Sequence, residues 1–167
     1  MSDSPSDIKE LEEISRTTYF DAFAWGNTPE NMTTYLDKSF SEQKLLNEIN
    51  DTNSKFYFAK HNGKTAGYLK LNFGNAQTDL KESNGMELER IYVLKEYQGK
   101  KIGQILIDKA IEIAKKNKME YIWLGVWDKN IKAISFYERN NFLSGGTHSF
   151  MMGTEEQTDL IMKRNLK

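Results

Sequence analysis

A seven-residue segment between a predicted strand and a predicted helix combines glycines with lysines and could bind an anion. Its residues are Gln98, Gly99, Lys100, Lys101, Ile102, Gly103 and Gln104. The first backbone N–H groups of a helix have no intrahelical acceptor, and the helix dipole favours negative charge beside them. The segment fits neither of the nucleotide-binding patterns GxxxxGK(S/T) and GxGxxG. We interpret it as a pyrophosphate site, with an ordinary structural turn as the alternative.

Two glutamates lie on the predicted strand that precedes this segment. Glu87 and Glu89 are two residues apart, so their side chains share one face of the strand. A carboxylate can take the proton that an amine nucleophile loses, directly or through one water. The two residues are therefore candidate general bases, unless that face of the strand is simply solvated.

A tyrosine and an asparagine lie on a short helix predicted over residues 130–140. The Tyr137 phenol could protonate a departing thiolate, although a tyrosine beside Phe136 is also a common core residue. Asn130 stands at the start of this helix, where asparagine favours a capping role over a ligand role. The tyrosine, the two carboxylates and the anion-binding turn together predict group transfer from a phosphate-bearing carrier.

Three helices are predicted in the first 50 residues, from apolar residues that recur with a period near 3.6. Each is preceded by a residue type that caps helices. The capping positions are Ser6 or Asp7, Thr28 before Pro29, and Ser41.

Strands dominate the remainder of the chain. The dipeptide Asn62-Gly63 predicts a β-hairpin. A strand at 86–93, a helix at about 101–117 and an apolar strand at 121–127 predict a βαβ unit. Two final strands, at 142–152 and 160–163, close the predicted fold. This order of elements indicates an α/β protein with a mixed sheet.

Length and composition limit the possible classes of protein. A chain of 167 residues with 38% hydrophobic residues is most simply one domain, residues 1–167, with a flexible polar segment at 1–7. The net charge of -1 predicts no direct nucleic-acid partner. The lack of cysteine excludes a thiolate nucleophile, and two separated histidines predict no metal site. No signal peptide and no run of ~18 apolar residues occur, which predicts a cytoplasmic protein without a membrane span.

Residues 98–103 and 130–142 resemble two signatures of the GNAT superfamily of acetyl-CoA-dependent N-acetyltransferases. The first signature is Gln/Arg-x-x-Gly-x-Gly/Ala, and Lys101 replaces its first glycine here. The second is Asn-x-x-Ala-x-x-Phe-Tyr-x-x-x-Gly-Phe, and Asn141 replaces its glycine. Asparagine tolerates left-handed backbone better than most residues, so Asn141 can still end the helix.

The chain is also similar, over most of residues 20–165, to PaiA-type members of this family, which are associated with spermidine/spermine N-acetylation. The similarity is carried by residues 28–32, 123–127, 149–153 and 155–162. It implies transfer of an acetyl group from acetyl-CoA to a primary amine, with spermidine or spermine as the expected substrate. Two alternatives stay open: acetylation of a protein N-terminus, an amino acid or an antibiotic, and a CoA-binding regulatory module with little catalysis. Either a monomer or a homodimer is compatible with the sequence.

The resemblance implies a fold and a set of cofactor contacts. The expected fold is a mixed, mostly antiparallel sheet flanked by helices, with splayed central strands. Backbone groups of Ile91, Tyr92 and Val93 would pair with the pantetheine arm of acetyl-CoA, and residues 98–104 would hold its pyrophosphate. Two side chains would add to this site, Asn130 on the arm and Arg139 on a phosphate.

The resemblance also implies roles in the reaction. Tyr137 would be the general acid for the CoA thiolate, and Glu89 is preferred to Glu87 as the general base. The amine would attack directly in a ternary complex, with the N–H of Ile91 polarising the carbonyl. A polyamine is a multiple cation, so its site should contain carboxylates and aromatic rings. The candidates are Trp25, Trp127, Glu87, Glu155, Glu156 and Asp159.

Overall fold

Five α-helices occur within residues 4–167, the part of the chain that the computed structural model describes. They are α1 (Pro5–Phe23), α2 (Pro29–Ser39), α3 (Glu42–Asn50), α4 (Ile102–Lys116) and α5 (Ile131–Arg139). A short 3-10 turn, Ala24–Gly26, ends α1. The predicted caps of α2 and α3 are confirmed, because Thr28 and Ser41 accept hydrogen bonds through their side-chain oxygens.

The start of α1 differs from the prediction. Its cap is Ser4 rather than Ser6 or Asp7, since the Asp7 N–H donates to Ser4 Oγ at 3.3 Å. Pro5 suits the first helical position because it has no N–H to satisfy. Residues 5–7, expected to be flexible, are therefore helical, and residues 1–3 lie outside the described part of the chain.

Six strands form one sheet in the order β1-β2-β3-β4-β6-β5. They are β1 (Ser54–His61), β2 (Lys64–Phe73), β3 (Gly85–Val93), β4 (Tyr121–Trp127), β5 (Leu143–Met152) and β6 (Glu155–Asn165). Only β3 and β4 are parallel, and α4 connects them as the predicted βαβ unit. Strand β6 begins five residues earlier than predicted, because residues 155–159 pair with β5. The mixed, mostly antiparallel sheet is confirmed.

The two central strands separate after three paired residues. Gly85–Glu87 of β3 pair with Tyr121–Trp123 of β4, and no later residues of the two strands are paired. A bulge at Glu89 bends β3 at this point, since Leu88 and Arg90 oppose the consecutive residues Leu71 and Lys70 of β2. The splayed central strands are therefore confirmed, and the gap between them opens toward the end of each strand.

The sheet is covered on both faces. On one face Leu106 of α4 packs in one cluster with Leu71 and Leu124 of the sheet. On the other face Leu11 of α1 and Phe40, which ends α2, pack in a cluster with Tyr68 of the sheet. One apolar residue of α4, Ile105, is 57% exposed. Within the described residues, no helix is long and apolar enough to cross a membrane.

Candidate active site

The gap between β3 and β4 opens into a cleft of about 1240 Å³. The ends of β3 and β4, the segment 98–104, the start of α5 and the end of α1 line it. Nearly all of the residues that were predicted from the sequence to be functional line this cleft. The exceptions are Lys100, Glu155 and Glu156.

The segment 98–104 forms a left-handed turn at the start of α4. Gly99 has φ +78 and Lys101 has φ +62, and the first bond of the helix joins Ile105 N to Lys101 O at 3.1 Å. The N–H groups of Ile102, Gly103 and Gln104 precede that bond and point out of the helix end. Such a concave set of N–H groups binds anions. The turn keeps the left-handed geometry with lysine where the family signature has glycine.

Along the part of β3 that is not paired with β4, the backbone N–H and C=O groups of every second residue face the cleft. Leu94 N donates to Ala66 O at 2.9 Å, so the backbone of Leu94 points toward β2. In an antiparallel pair this direction alternates along the strand. Tyr92 therefore also points to β2, whereas Ile91 and Val93 present their N–H and C=O groups to the cleft. Of the three residues expected to pair with an extended ligand, two have backbone groups that are free to do so.

Helix α5 brings further polar groups to the start of α4. Gln104 Nε2 donates to Asn140 Oδ1 at 2.8 Å and joins the two helices. Arg139 is exposed at the end of α5 and lines the cleft together with Lys101 and Lys132. We call the turn 98–104 with Lys101, Lys132 and Arg139 the cationic end of the cleft. Asn130 caps α5, because its Oδ1 accepts from Ala133 N at 3.2 Å, and within residues 4–167 its amide nitrogen makes no hydrogen bond.

Tyr137 lies on α5 in the middle of the cleft wall. Its ring packs against Phe136 and Phe142, with centroids 5.5 and 5.8 Å away. Burial raises the pKa of the Tyr137 phenol well above its ordinary value. Among residues 4–167 no hydrogen-bond partner of its hydroxyl is recorded. A protonated phenol that faces the cleft is suited to donate its proton to a ligand.

Glu89 is held in a buried ion-pair network. Its carboxylate lies 2.6 Å from Lys70 Nζ and 3.0 Å from Arg90 Nη2. Burial acts to raise the pKa of Glu89, but Arg90 and Lys70 outweigh it and lower the pKa to about 2. Such a carboxylate is a weak proton acceptor at neutral pH. This geometry argues against the preference for Glu89 as the general base.

Glu87 shares the same face of β3 and is 3% exposed. Its oxygens accept hydrogen bonds from Thr78 N at 2.8 Å, from the Thr78 hydroxyl and from Asn72 Nδ2 at 2.9 Å. Burial, followed by the nearby charge of Glu89, raises the pKa of Glu87. It is more basic than Glu89, yet three donors already occupy its two oxygens.

Carboxylates and aromatic rings line a second part of the cleft. Trp25 is 67% exposed, and its ring centroid lies 5.2 Å from that of Trp127. Asp159 of β6 lies directly opposite Trp127 of β4. Asp79 joins this group through His148, whose Nδ1 lies 2.7 Å from Asp79 Oδ2. We call Asp79, Glu87 and Asp159, with these two tryptophans, the acidic end of the cleft.

Two sequence-based candidates lie elsewhere, and two contributors were missed. Glu155 and Glu156 begin β6 opposite Met152 and Met151, are exposed and do not line the cleft, so the structure does not support a role in substrate binding. Asp79 and His148 gave no local signal, because a loop and an edge strand bring them together. The alternation of β5 against β6 would have placed His148 on the face of Asp159, had the register been known.

Comparison with known proteins assigns the chain to a family. The model of the Acetyltransferase (GNAT) family matches residues 9–142. An uncharacterized N-acetyltransferase in the pepI 3'region of Lactobacillus delbrueckii subsp. lactis is 39% identical over 163 residues, which cover 98% of this chain and 94% of the relative. A spermidine N(1)-acetyltransferase of Thermoplasma acidophilum is 30% identical over 143 residues, which cover 83% of this chain and 84% of the relative.

A solved structure shows the same fold with a ligand of the expected kind. The crystal structure of PaiA N-acetyltransferase from Thermoplasma acidophilum in complex with coenzyme A has a TM-score of 0.79 to this chain. The two sequences are 27% identical, and the match covers 99% of this chain and 95% of that one. The splayed strands and the turn before α4 are features that the sequence resemblance implied, and the family match agrees with them. The chain therefore belongs to the GNAT family of acetyltransferases, whose members transfer an acetyl group from acetyl-CoA to an amine.

Proposed function

We propose that the protein acetylates a primary amine of a polyamine, spermidine or spermine, with acetyl-CoA as donor. The observation that carries this proposal is the separation of charge along the cleft. Free N–H groups, lysines and Arg139 line the part of the cleft formed by residues 98–104 and α5. Carboxylates with aromatic rings line the part formed by β3, β4, β6 and the turn after α1, where Lys129 lies over the Trp127 ring. A substrate with several ammonium groups is stabilised by carboxylates and aromatic faces. The similarity to a spermidine N(1)-acetyltransferase agrees with this substrate.

Coenzyme A fits the cationic end of the cleft. The N–H groups at the start of α4 are suited to the pyrophosphate, and Lys101 and Arg139 supply countercharge. The free edge of β3 at Ile91 and Val93 is suited to the amides of the pantetheine arm, as an added strand would be. The amide nitrogen of Asn130 is available to the same arm. The coenzyme contributes the thioester and its thiolate leaving group.

Residues of the chain stabilise the developing charges. The Ile91 N–H faces the cleft and is available to polarise the thioester carbonyl. The Tyr137 phenol keeps its proton at neutral pH, because burial raises its pKa, and gives that proton to the departing sulfur. The amine attacks directly, and the chain contains no cysteine that could carry an acetyl group as a thioester.

A thiol-release assay with a panel of amines tests the proposal. Spermidine, spermine, propylamine, a peptide with a free N-terminus and an aminoglycoside are each supplied with acetyl-CoA. We expect the polyamines to have the highest kcat/KM, since their remote ammonium groups add binding at the acidic end. The polyamine assignment fails if spermidine and spermine release no thiol while another amine does. Acetyl transfer itself fails if no amine in the panel is acetylated.

A further inference from the structure

One carboxylate oxygen at the acidic end of the cleft has no hydrogen-bond donor. Asp159 Oδ1 is buried, and no partner for it occurs among the residues that the structure describes. Buried polar atoms are almost always paired, and an unpaired acceptor is unfavourable. Asp159 also lines the cleft, and its other oxygen, Oδ2, lies beside Gly125, so a ligand N–H group can approach the carboxylate there.

Access to this carboxylate depends on a glycine. Gly125 of β4 is exposed on the floor of the cleft, just beyond the last residue paired with β3. A Cβ atom at this position would lie 3.1 Å from Asp159 Oδ2. Any side chain here would crowd the carboxylate, so Gly125 keeps the space beside Asp159 open to a ligand. That space is continuous with the gap between the splayed strands.

His148 is the cross-strand neighbour of Asp159 and is partly exposed to solvent. The two residues oppose each other on β5 and β6, a position that brings Cβ atoms within about 4.5–5.5 Å. Its Nδ1 lies 2.7 Å from Asp79 Oδ2, and the side chains of His148 and Asp79 are 45% and 37% exposed. The contact with Asp79 orients the ring, and no residue among 4–167 pairs with Nε2.

Several ionisable groups face Asp159 from the neighbouring elements. Burial raises the pKa of Asp159 to about 6, His148 on β5 lowers it, and Asp128 after β4 raises it. Tyr19 faces it from α1, and burial raises the pKa of that phenol well above its ordinary value, with a smaller contribution from Asp159. Asp159 is therefore ionised at neutral pH and more basic than an ordinary aspartate.

The other two carboxylates on this face are already engaged. Glu89 is paired with Lys70 and Arg90. Glu87 accepts hydrogen bonds from Thr78 and Asn72 on both of its oxygens. Of the three, only Asp159 accepts no hydrogen bond from residues 4–167, and its Oδ2 lies beside the open space at Gly125.

We propose that Asp159 is the proton acceptor for the attacking amine, and that His148, oriented by Asp79, passes the proton to solvent. This inference rests on the proposed amine acetylation. The amine nitrogen forms a bond to the thioester carbon and loses one proton to Asp159 Oδ2, the oxygen beside Gly125. The C–S bond breaks, and the sulfur takes the Tyr137 proton. His148 Nε2 then carries the proton from Asp159 to water, and water restores the proton of Tyr137.

The isosteric variant Asp159→Asn tests the acceptor role. We expect kcat to fall ~10²–10⁴-fold, as for other general bases, while CoA still raises the melting temperature. In the wild type, kcat should rise with pH through about 6, the pKa of Asp159, and in the variant this limb of the profile should disappear. Asp37→Asn, the same change at an exposed position on α2 that pairs with Arg16, is the matched control and should keep the wild-type profile.

Two neighbours of Asp159 should move the same limb in opposite directions. His148→Gln removes a group that lowers the pKa of Asp159, so the limb should move to higher pH. Asp128→Asn removes a group that raises this pKa, so the limb should move to lower pH. A merely structural role for His148 would change the overall rate without moving the limb.

A readout independent of activity is the pH dependence of stability. Because the folded protein raises the pKa of Asp159, ionisation of this group destabilises the fold as pH rises from about 4 toward 6 and above. The melting temperature of Asp159→Asn relative to wild type should therefore increase over that range. A difference that is constant with pH contradicts the raised pKa.

The inference is overturned if Asp159→Asn binds CoA and keeps the wild-type kcat and acid limb. It is also overturned if His148→Gln and Asp128→Asn leave the limb in place. In both cases the wild type still acetylates amines, so the proposed function stands. If the wild type releases no thiol with any amine, the proposed function fails first, and the stability measurement alone decides the environment of Asp159.

Discussion

The cationic and acidic ends of the cleft are built in different ways. The cationic end uses mainly backbone, namely the turn before α4 and the free edge of β3, and its elements are close in sequence. The acidic end uses side chains from the turn after α1, the loop before β3, and strands β3, β4 and β6, which the fold brings together from distant parts of the chain. Because the cationic end binds mainly through backbone groups, it tolerates changes of side chain. The acidic end binds through side chains, so a single substitution there can change which ligand it binds.

Tyr137 lies between the two ends, and its loss should have the largest effect on the rate. In Tyr137→Phe the ring still packs against Phe136 and Phe142, but the proton donor is absent. We expect kcat to fall ~10²–10⁴-fold. The KM for acetyl-CoA should change less than about threefold, because only the proton donor is lost. Steady-state kinetics with both substrates measure this. Unchanged turnover would restrict Tyr137 to a packing role, and the departing sulfur would then take its proton from another group.

Glu89→Gln asks whether Glu89 belongs to the reaction or to the scaffold of the acidic end. The substitution removes one carboxylate partner of Lys70 and Arg90 and leaves them only Glu48 among the described residues. Breaking a buried ion pair costs about 3–5 kcal/mol, so we expect a large loss in the free energy of unfolding, measured by urea titration.

The pH dependence gives this prediction a sign. The folded state lowers the pKa of Glu89 from 4.5 to about 2, so its stabilisation is full above pH 4.5 and is lost as pH falls toward 2. Glu89→Gln should therefore flatten the acid limb of stability, while the pH profile of kcat near neutrality keeps its shape. A change in that kcat profile would return Glu89 to the list of candidate bases.

The difference between the two ends also explains what the sequence could predict. Short segments of sequence are enough to predict the turn at 98–104, the cap at Asn130 and the position of Tyr137, because consecutive residues determine local backbone geometry. The pairing of Asp79 with His148, and of His148 with Asp159, depends on strand register. The ion pair of Glu89 with Lys70, which makes Glu89 a weaker base, could not be predicted for the same reason, since Lys70 reaches Glu89 only once β2 and β3 pair.

Gly103→Val should affect the cationic end alone. A Cβ at this position would lie 3.6 Å from the Phe136 ring, an ordinary contact, so the fold without ligand should persist. The branched side chain would instead occupy the approach to the N–H groups of the first turn. We expect most of the thermal stabilisation by CoA to be lost, as measured by differential scanning fluorimetry.

The matched control for this change is Gly103→Ala, which adds only the atom that the structure accommodates. It should retain more of the CoA effect than Gly103→Val. Equal stabilisation of wild type and Gly103→Val by CoA would place the pyrophosphate away from this turn, and the backbone description of the cationic end would then be incorrect.

Lys101 should show the smallest effect, because its charge and its backbone act separately. Lys101 adopts φ +62, which costs a residue with a side chain about 1 kcal/mol and costs glycine nothing. Lys101→Ala removes the charge and keeps the strain, whereas Lys101→Gly removes both. Both variants should weaken CoA binding to the same extent, less than tenfold for one exposed charge. Lys101→Gly should unfold at higher temperature than Lys101→Ala, by a few degrees. Equal melting temperatures would mean that the turn does not hold this residue in the left-handed conformation, and the N–H groups of α4 would then need another residue to orient them.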